Sequence, residues 1–154
     1  MTDVEARLAD LGVTLPDAPV PLANYAPYVR AGSLLTVSGQ VSIGPDGLVT
    51  GVAGADLSLD EAVAAARLCA INLIAQARAA CDGDLSRVAR VVRLGVFVNC
   101  APGFNDHPAV ANGASDLMVA AFGEERGRHA RAAVGAPSLP LGAAVEIDGL
   151  FEVQ

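Results

Sequence analysis

The sequence predicts an α+β domain, with two main helices packed on one face of a sheet. Three observations point there. The predicted segments run in the order ββ(β)αβαββ, which suits a sheet with helices on one side. Hydrophobic residues make up 53% of the chain and aromatics only 4%, so the core must be built from alanine, valine and leucine. Side chains this small fill space only where helices and sheet approach closely. Finally, the central strand is largely apolar on both faces, so both faces need cover.

Taken in order, Thr2-x-x-Glu5 is a capping box and Gly12 a C-terminal stop, which predicts a short opening helix. Val4, Leu8 and Leu11 form its apolar stripe. Leu15 to Ala26 reads as an extended linker restricted by Pro16, Pro19, Pro21 and Pro27. Residues 1–23 are therefore expected as an N-terminal helix and proline-rich linker, with the main domain over 24–154. Tyr28–Ala31 and Leu34–Ser38 read as strands joined at Gly32-Ser33. Pro45-Asp46-Gly47 reads as a turn before a short strand at Leu48–Val52.

Ser58-x-x-Glu61 is a second capping box and opens the longest helix, which runs to about Cys81 and stops at Asp82-Gly83. Leu59, Val63, Ala66, Ala70, Leu73, Ile74 and Ala77 make its stripe at helical spacing. Ala89–Asn99 is the central strand. Val92, Leu94, Val96 and Val98 are expected on one face, and Val91, Arg93, Gly95 and Phe97 on the other. Arg93 interrupts that second face, which points to another subunit as its cover. Asn105-Asp106-His107-Pro108 starts a helix ending at Gly123, with Pro108 in the tolerated first turn. Asn112-Gly113 marks a weak point where the first turns are expected to be irregular.

His129–Glu152 reads as a strand, a turn on Gly135-Ala136-Pro137, a Leu139-Pro140 step and a second strand. In that strand Val145, Ile147, Phe151 and Val153 alternate with Glu146, Asp148, Leu150 and Glu152. Two charges stand out: Arg131, in a run of small apolar residues, and Glu146. By spacing alone they are a surface arginine and a solvated strand-face glutamate, since structural ion pairs are common.

Composition excludes several classes. No apolar run approaches the roughly 18 residues of a membrane span, and no signal-peptide pattern opens the chain. Cys69, Cys81 and Cys100 form no C-x-x-C. The first two fall on one predicted helix about 18 Å apart, so they cannot bridge. Three reduced thiols fit a cytoplasmic protein. His107 and His129 have no ligand cluster around them, and no metal is expected. A net charge of -7 argues against sequence-independent nucleic-acid binding. Arg126, Arg128, His129 and Arg131 form one basic spot, suited to a small anion unless Glu124 and Glu125 pair with them.

The pattern Arg131-x-Ala133-Val134-Gly135, Leu139-Pro140 and Val145-Glu146-Ile147 resembles the C-terminal signature of the Rid family, the reactive intermediate deaminases or YjgF-like proteins. Pro27-Tyr28-Val29 and Val37-Ser38-Gly39-Gln40 resemble that family's N-terminal motifs, so the likeness spans about Asn24 to Val153. The N-terminal helix and linker resemble the extension of a longer branch. The resemblance implies a chorismate-mutase-like mixed sheet, assembled as a homotrimer with clefts between subunits. It implies an enamine/imine deaminase that hydrolyses small 2-imino acids to 2-oxo acids and ammonia without a cofactor. In that role the residue matching Arg131 holds the substrate carboxylate, and the one matching Glu146 positions water and moves a proton.

Tyr28 and Ser38 match ligand-binding positions of the family. Their plain alternatives are a packing tyrosine and a hydroxyl bonded to nearby backbone. Backbone groups at Ala133, where many members carry cysteine, correspond to ligand contacts. The family's helix asparagine is matched by Asn112 or equally by Ser115. The expected partner is a small imino or enamino acid, with no nucleic acid and no membrane. Two other functions are a non-catalytic carboxylate-binding oligomer and a ribonuclease, the latter disfavoured by the acidic charge.

Overall fold

Local signals in the sequence set most of the element starts. A computed structural model describes residues 1–20 and 23–154. The first helix, α1 (Asp3–Asp10), begins at the Thr2 capping box, where the Thr2 hydroxyl accepts from the Glu5 N–H and the Glu5 carboxylate accepts from the Thr2 N–H. Val4 and Leu8 are buried in the main core, but Leu11 is 40% exposed and leaves the expected stripe. The linker lies along the long helix, with the Pro16 and Pro19 carbonyls accepting from Arg78 and Gln76. Pro21, expected to stiffen it, lies outside the described residues.

The five-stranded sheet has the order β1-β2-β7-β5-β6. Its strands are β1 (Tyr28–Ala31), β2 (Leu34–Val41), β5 (Val88–Asn99), β6 (Ala130–Ala136) and β7 (Val145–Val153). Only the β5/β6 pair is parallel, so the sheet is mixed. Where a strand was expected at Leu48–Val52, β3 (Ile43–Gly44) and β4 (Gly47–Leu48) form a small hairpin sheet of their own. The two C-terminal strands are not neighbours, because β5 lies between them.

Helix α2 (Leu59–Ala80) starts at the Ser58 capping box as expected. Its buried face includes Ala62, Ala65, Ala66, Cys69, Ala70, Leu73 and Ile74, while Leu59 is 39% exposed and Val63 only half-buried. By length and composition α2 could cross a membrane, although Arg67 and Arg78 interrupt its apolar run. Yet 61% of its apolar stretch is buried inside the protein, as in a core helix. Helix α3 (His107–Phe122) packs on α2, and both lie against the sheet.

The Asn112-Gly113 weak point is absent, since α3 runs unbroken through it. A Cβ at Gly113 would overlap the Val63 carbonyl oxygen. Glycine there permits the close approach of α2 and α3 that an alanine-rich core demands. A short helix α4 (Glu124–Gly127), not expected from the sequence, follows α3.

Alternation along the strands divides the sheet into two faces. Leu35, Val37, Leu94, Val96, Val98, Val145, Ile147 and Phe151 are buried beneath the helices. The opposite face bears Val29, Leu34, Phe97 and Val134, between 37% and 58% exposed, together with Arg93, Glu146 and Asp148. One expectation is reversed at the start of β5: Val91 is fully buried and Val92 half-buried. An irregularity between Val91 and Arg93 shifts the register and exchanges their faces.

Candidate active site

The sequence-predicted site residues occupy two separate places in the protomer. The first lies on β6 under α3. Arg131 pairs in register with Leu94, so its side chain emerges on the helix-covered face. Its Nη1 donates to Asn112 Oδ1 (2.8 Å) and Ser115 Oγ (3.0 Å), and its Nη2 donates to the Pro108 carbonyl (3.2 Å). Asn112 and Ser115 are three apart on α3 and therefore share a helix face. Both residues weighed for the family asparagine thus contact the guanidinium. Ala133, two residues along β6 from Arg131, is half-buried on the same face.

This half-site continues to His129. Its Nδ1 lies 2.6 Å from the Gly127 carbonyl, which can only accept, so Nδ1 carries a proton. Its Nε2 lies 2.9 Å from Ser115 Oγ. Ser115 accepts from Arg131, and with the ring neutral it donates its own proton to Nε2. Burial lowers the His129 pKa, the Gly127 hydrogen bond opposes that shift, and the Arg131 charge adds to it. The basic spot otherwise disperses. Arg128 pairs with Glu124 at 2.9 Å, and Arg126 reaches Asp3 of α1 at 3.5 Å.

The second place is built from β7 and β2. Glu146 pairs with Phe97 on one side and Val41 on the other, so its carboxylate lies on the face that no helix covers. Next to it β2 bulges: Ser38 and Gly39 both fall between Val37, opposite Gly149, and Gln40, opposite Ile147. A Cβ at Gly39 would come within 2.6 Å of Glu146 Oε1, so only glycine lets the carboxyl group lie against the bulge. Burial raises the Glu146 pKa, and the nearby Asp148 charge raises it further.

Ser38 donates its hydroxyl to the Ala26 carbonyl (2.8 Å), and its N–H binds the Pro27 carbonyl (2.9 Å). The plain alternative for Ser38 describes its bonds, although the hydroxyl keeps lone pairs for a ligand. Tyr28 sits opposite Val37 and packs part of its ring on the core.

Within one chain, then, Arg131, Asn112 and Ala133 come together, and Glu146 lies beside the bulge at Ser38 and Gly39, but Arg131 and Glu146 do not meet. Tyr28, opposite the buried Val37, belongs to the helix-covered face and does not join Glu146. Arg131 and Glu146 point to opposite faces of the sheet. Sequence reasoning named Ser115 only as a substitute and read His129 only as part of a basic spot. The i, i+3 spacing of Asn112 and Ser115 was the available signal for the first. Nothing local marked the second.

A chain with this sheet and these motifs matches the family model described as "YjgF/chorismate_mutase-like, putative endoribonuclease" over residues 5–152. Protein TCP17 of Trypanosoma cruzi is 53% identical over 154 residues, spanning 98% of this chain and 94% of that protein. The crystal structure of Atu1372 from Agrobacterium tumefaciens, a protein of unknown function, is 48% identical with a TM-score of 0.92, covering 99% of this chain and 93% of that one. A 2-iminobutanoate/2-iminopropanoate deaminase of Dermatophagoides farinae is 26% identical over 144 residues, spanning 92% of this chain and 95% of that protein.

Proposed function

This chain belongs to the YjgF/chorismate-mutase-like family, and from that premise we propose that it is an enamine/imine deaminase hydrolysing small reactive 2-imino acids to 2-oxo acids and ammonia. The observation that carries this reading is how Arg131 is held. A guanidinium has five N–H donors, and among the described residues three are engaged, two from Nη1 and one from Nη2. Nε–H and one Nη2–H remain for a substrate carboxylate. The side chain is already oriented by α3, so little rotamer entropy is lost on binding.

Hydrolysis adds water to the imine carbon, then breaks the C–N bond as the carbonyl forms and ammonia leaves. Water must be positioned and a proton delivered to the departing nitrogen. Glu146 suits both steps, because burial and Asp148 raise its pKa and so keep a larger fraction protonated near neutral pH. Tyr28, Ser38, Asn112 and the backbone at Ala133 complete the substrate contacts. No organic cofactor or metal enters this chemistry. The mite deaminase, although distant, supports the same reaction class.

The site is completed by a second copy of the chain. Because Arg131 and Glu146 lie on opposite faces of one sheet, a single substrate touches both only across a subunit boundary. A homotrimer packed through the uncovered face supplies such boundaries and covers Val29, Leu34, Phe97 and Val134. A reduced, cytoplasmic setting belongs to the same reading, with Cys69, Cys81 and Cys100 all free thiols. The deciding experiment is ammonia release from imines generated in situ from several amino acids. Release above background supports the proposal. Binding of stable carboxylates through Arg131 without any release would make the protein a carboxylate-binding oligomer instead. A ribonuclease function is weighed down by the net charge of -7.

A further inference from the structure

A second reactive pair lies at the far end of β6 from Arg131, where β5 gives way to Cys100. The backbone here is pinned on both sides. The Cys100 N–H donates to the Ala136 carbonyl (3.2 Å), and the next N–H, that of Ala101, donates to the Ala53 carbonyl (3.0 Å). His107 opens α3, and Phe104 packs against its ring, 80° between planes and 5.2 Å between centroids. These constraints bring Cys100 Sγ to 3.5 Å from His107 Nε2.

Gly135 makes the approach possible. A Cβ there would come within 2.6 Å of Cys100 Sγ and 2.8 Å of His107 Nε2. Cys100 and Gly135 line a cavity of about 420 Å³ whose walls are otherwise Val52, Ala101, Pro102, Ala136 and Pro137. His107 is not among the residues lining that cavity. The other two thiols have neither feature. Cys69 and Cys81 are fully buried, and Cys69 hydrogen-bonds the Val145 carbonyl.

We propose that Cys100 is a nucleophile, with His107 as its base, toward small apolar conjugated alkenes that enter this cavity. In the step the thiol proton moves to His107 Nε2 and an S–C bond forms at the β-carbon of the alkene. The π pair shifts onto the activating carbonyl as an enolate, and the imidazolium proton then reaches the α-carbon. Nothing leaves and nothing is oxidised. A soft thiolate prefers such carbon electrophiles, and the lining offers an uncharged molecule an apolar seat. Neither Arg131 nor Glu146 takes part, so this site and the deaminase reading stand or fall separately.

The test treats the folded 154-residue chain with 2-cyclohexen-1-one, a small uncharged enone, at pH 7 and maps adducts by peptide mass spectrometry. A single adduct on Cys100 is expected, with Cys69 and Cys81 unmodified until the chain is unfolded. Its rate should exceed that of the same cysteine in the urea-unfolded chain, a comparison that needs no variant. His107→Asn should slow the folded-state reaction about 10- to 100-fold, the lower end of base catalysis and just below it. Gly135→Ala should slow it as well, by displacing the thiol or the ring. Adducts forming first on Cys69 or Cys81, a folded rate no higher than the unfolded one, or an unchanged rate in folded His107→Asn would each overturn the proposal.

Discussion

The two halves of the candidate site are finished to different degrees. Around Arg131 the fold supplies a closed set of partners: Asn112 and Ser115 on one turn of α3, the Pro108 carbonyl, and His129 behind Ser115. Around Glu146 there is a carboxyl group against a glycine bulge, with no helix above it, and burial together with nearby Asp148 raises its pKa. The first half is a preorganised cation. The second is a carboxyl group with a raised pKa on a face that lacks a cover. Under the proposed function, binding and chemistry fall on different surfaces of one chain, and assembly would unite them.

The largest effect should come from the half without a cover. Glu146→Gln preserves shape and much of the hydrogen bonding but cannot exchange a proton. Ammonia release should fall by about 10²–10⁴, the range of general acid–base groups, while affinity for a stable carboxylate analogue stays within a few fold. If binding and turnover fall together, the division of labour is wrong.

The Arg131 half should respond in binding. Arg131→Ala removes the carboxylate anchor and should weaken analogue binding by about 1.5–3 kcal/mol, measured by calorimetry. Arg131→Lys should recover only part of this, because a point charge does not reproduce the planar fork. Mixing the two inactive variants sharpens the comparison further. If each site takes Arg131 from one chain and Glu146 from another, co-refolded Arg131→Ala and Glu146→Gln chains regain activity at about a quarter of their boundaries, the share for random heterologous pairing. If one chain supplies both groups, every mixed site lacks one of them and no activity returns.

The covered face invites a test of its own. Gly113→Ala sets a methyl group against the Val63 carbonyl and should cost about 1–3 kcal/mol by urea melting, as overpacking does. No comparable loss is expected for Val134→Ala on the uncovered face of a dissociated chain, since Val134 is 47% exposed.

Much of this arrangement was legible in the sequence, and the limits have physical causes. Both capping boxes marked their helices, since the signal and the bond it makes are local. The alternation of β7 was read correctly for the same reason. Val91 and Val92 were assigned to the wrong faces, because period two holds only while the register is unbroken. Gly113 was read as a flaw, although its role depends on a second helix that local sequence does not reveal. The separation of Arg131 from Glu146 was hidden most deeply. It follows from the register of both strands on β5, which sets Arg131 opposite Leu94 and Glu146 opposite Phe97, positions an odd number apart and so on opposite faces, a long-range pairing that no spacing encodes.

The smallest effect offers the subtlest contrast, because the two halves titrate with opposite sign. His129 has its pKa lowered, chiefly by burial. Its contribution is therefore present above the unfolded value of about 6.5 and lost as pH falls through the folded one. Glu146 has its pKa raised, so its contribution is present below about 4.3 and lost as pH rises through the folded value. Melting temperatures of the wild type, His129→Asn and Glu146→Gln between pH 4 and pH 8 separate the two. The wild-type advantage over His129→Asn should shrink on acidification from pH 7. Its advantage over Glu146→Gln should shrink on raising the pH from 4, and the variant should be the more stable of the two by neutrality. Both groups are partly exposed, so solvent keeps each difference small. Parallel curves for all three proteins would mean that neither group feels the surroundings described here, and the contrast between the two halves would lose its electrostatic basis.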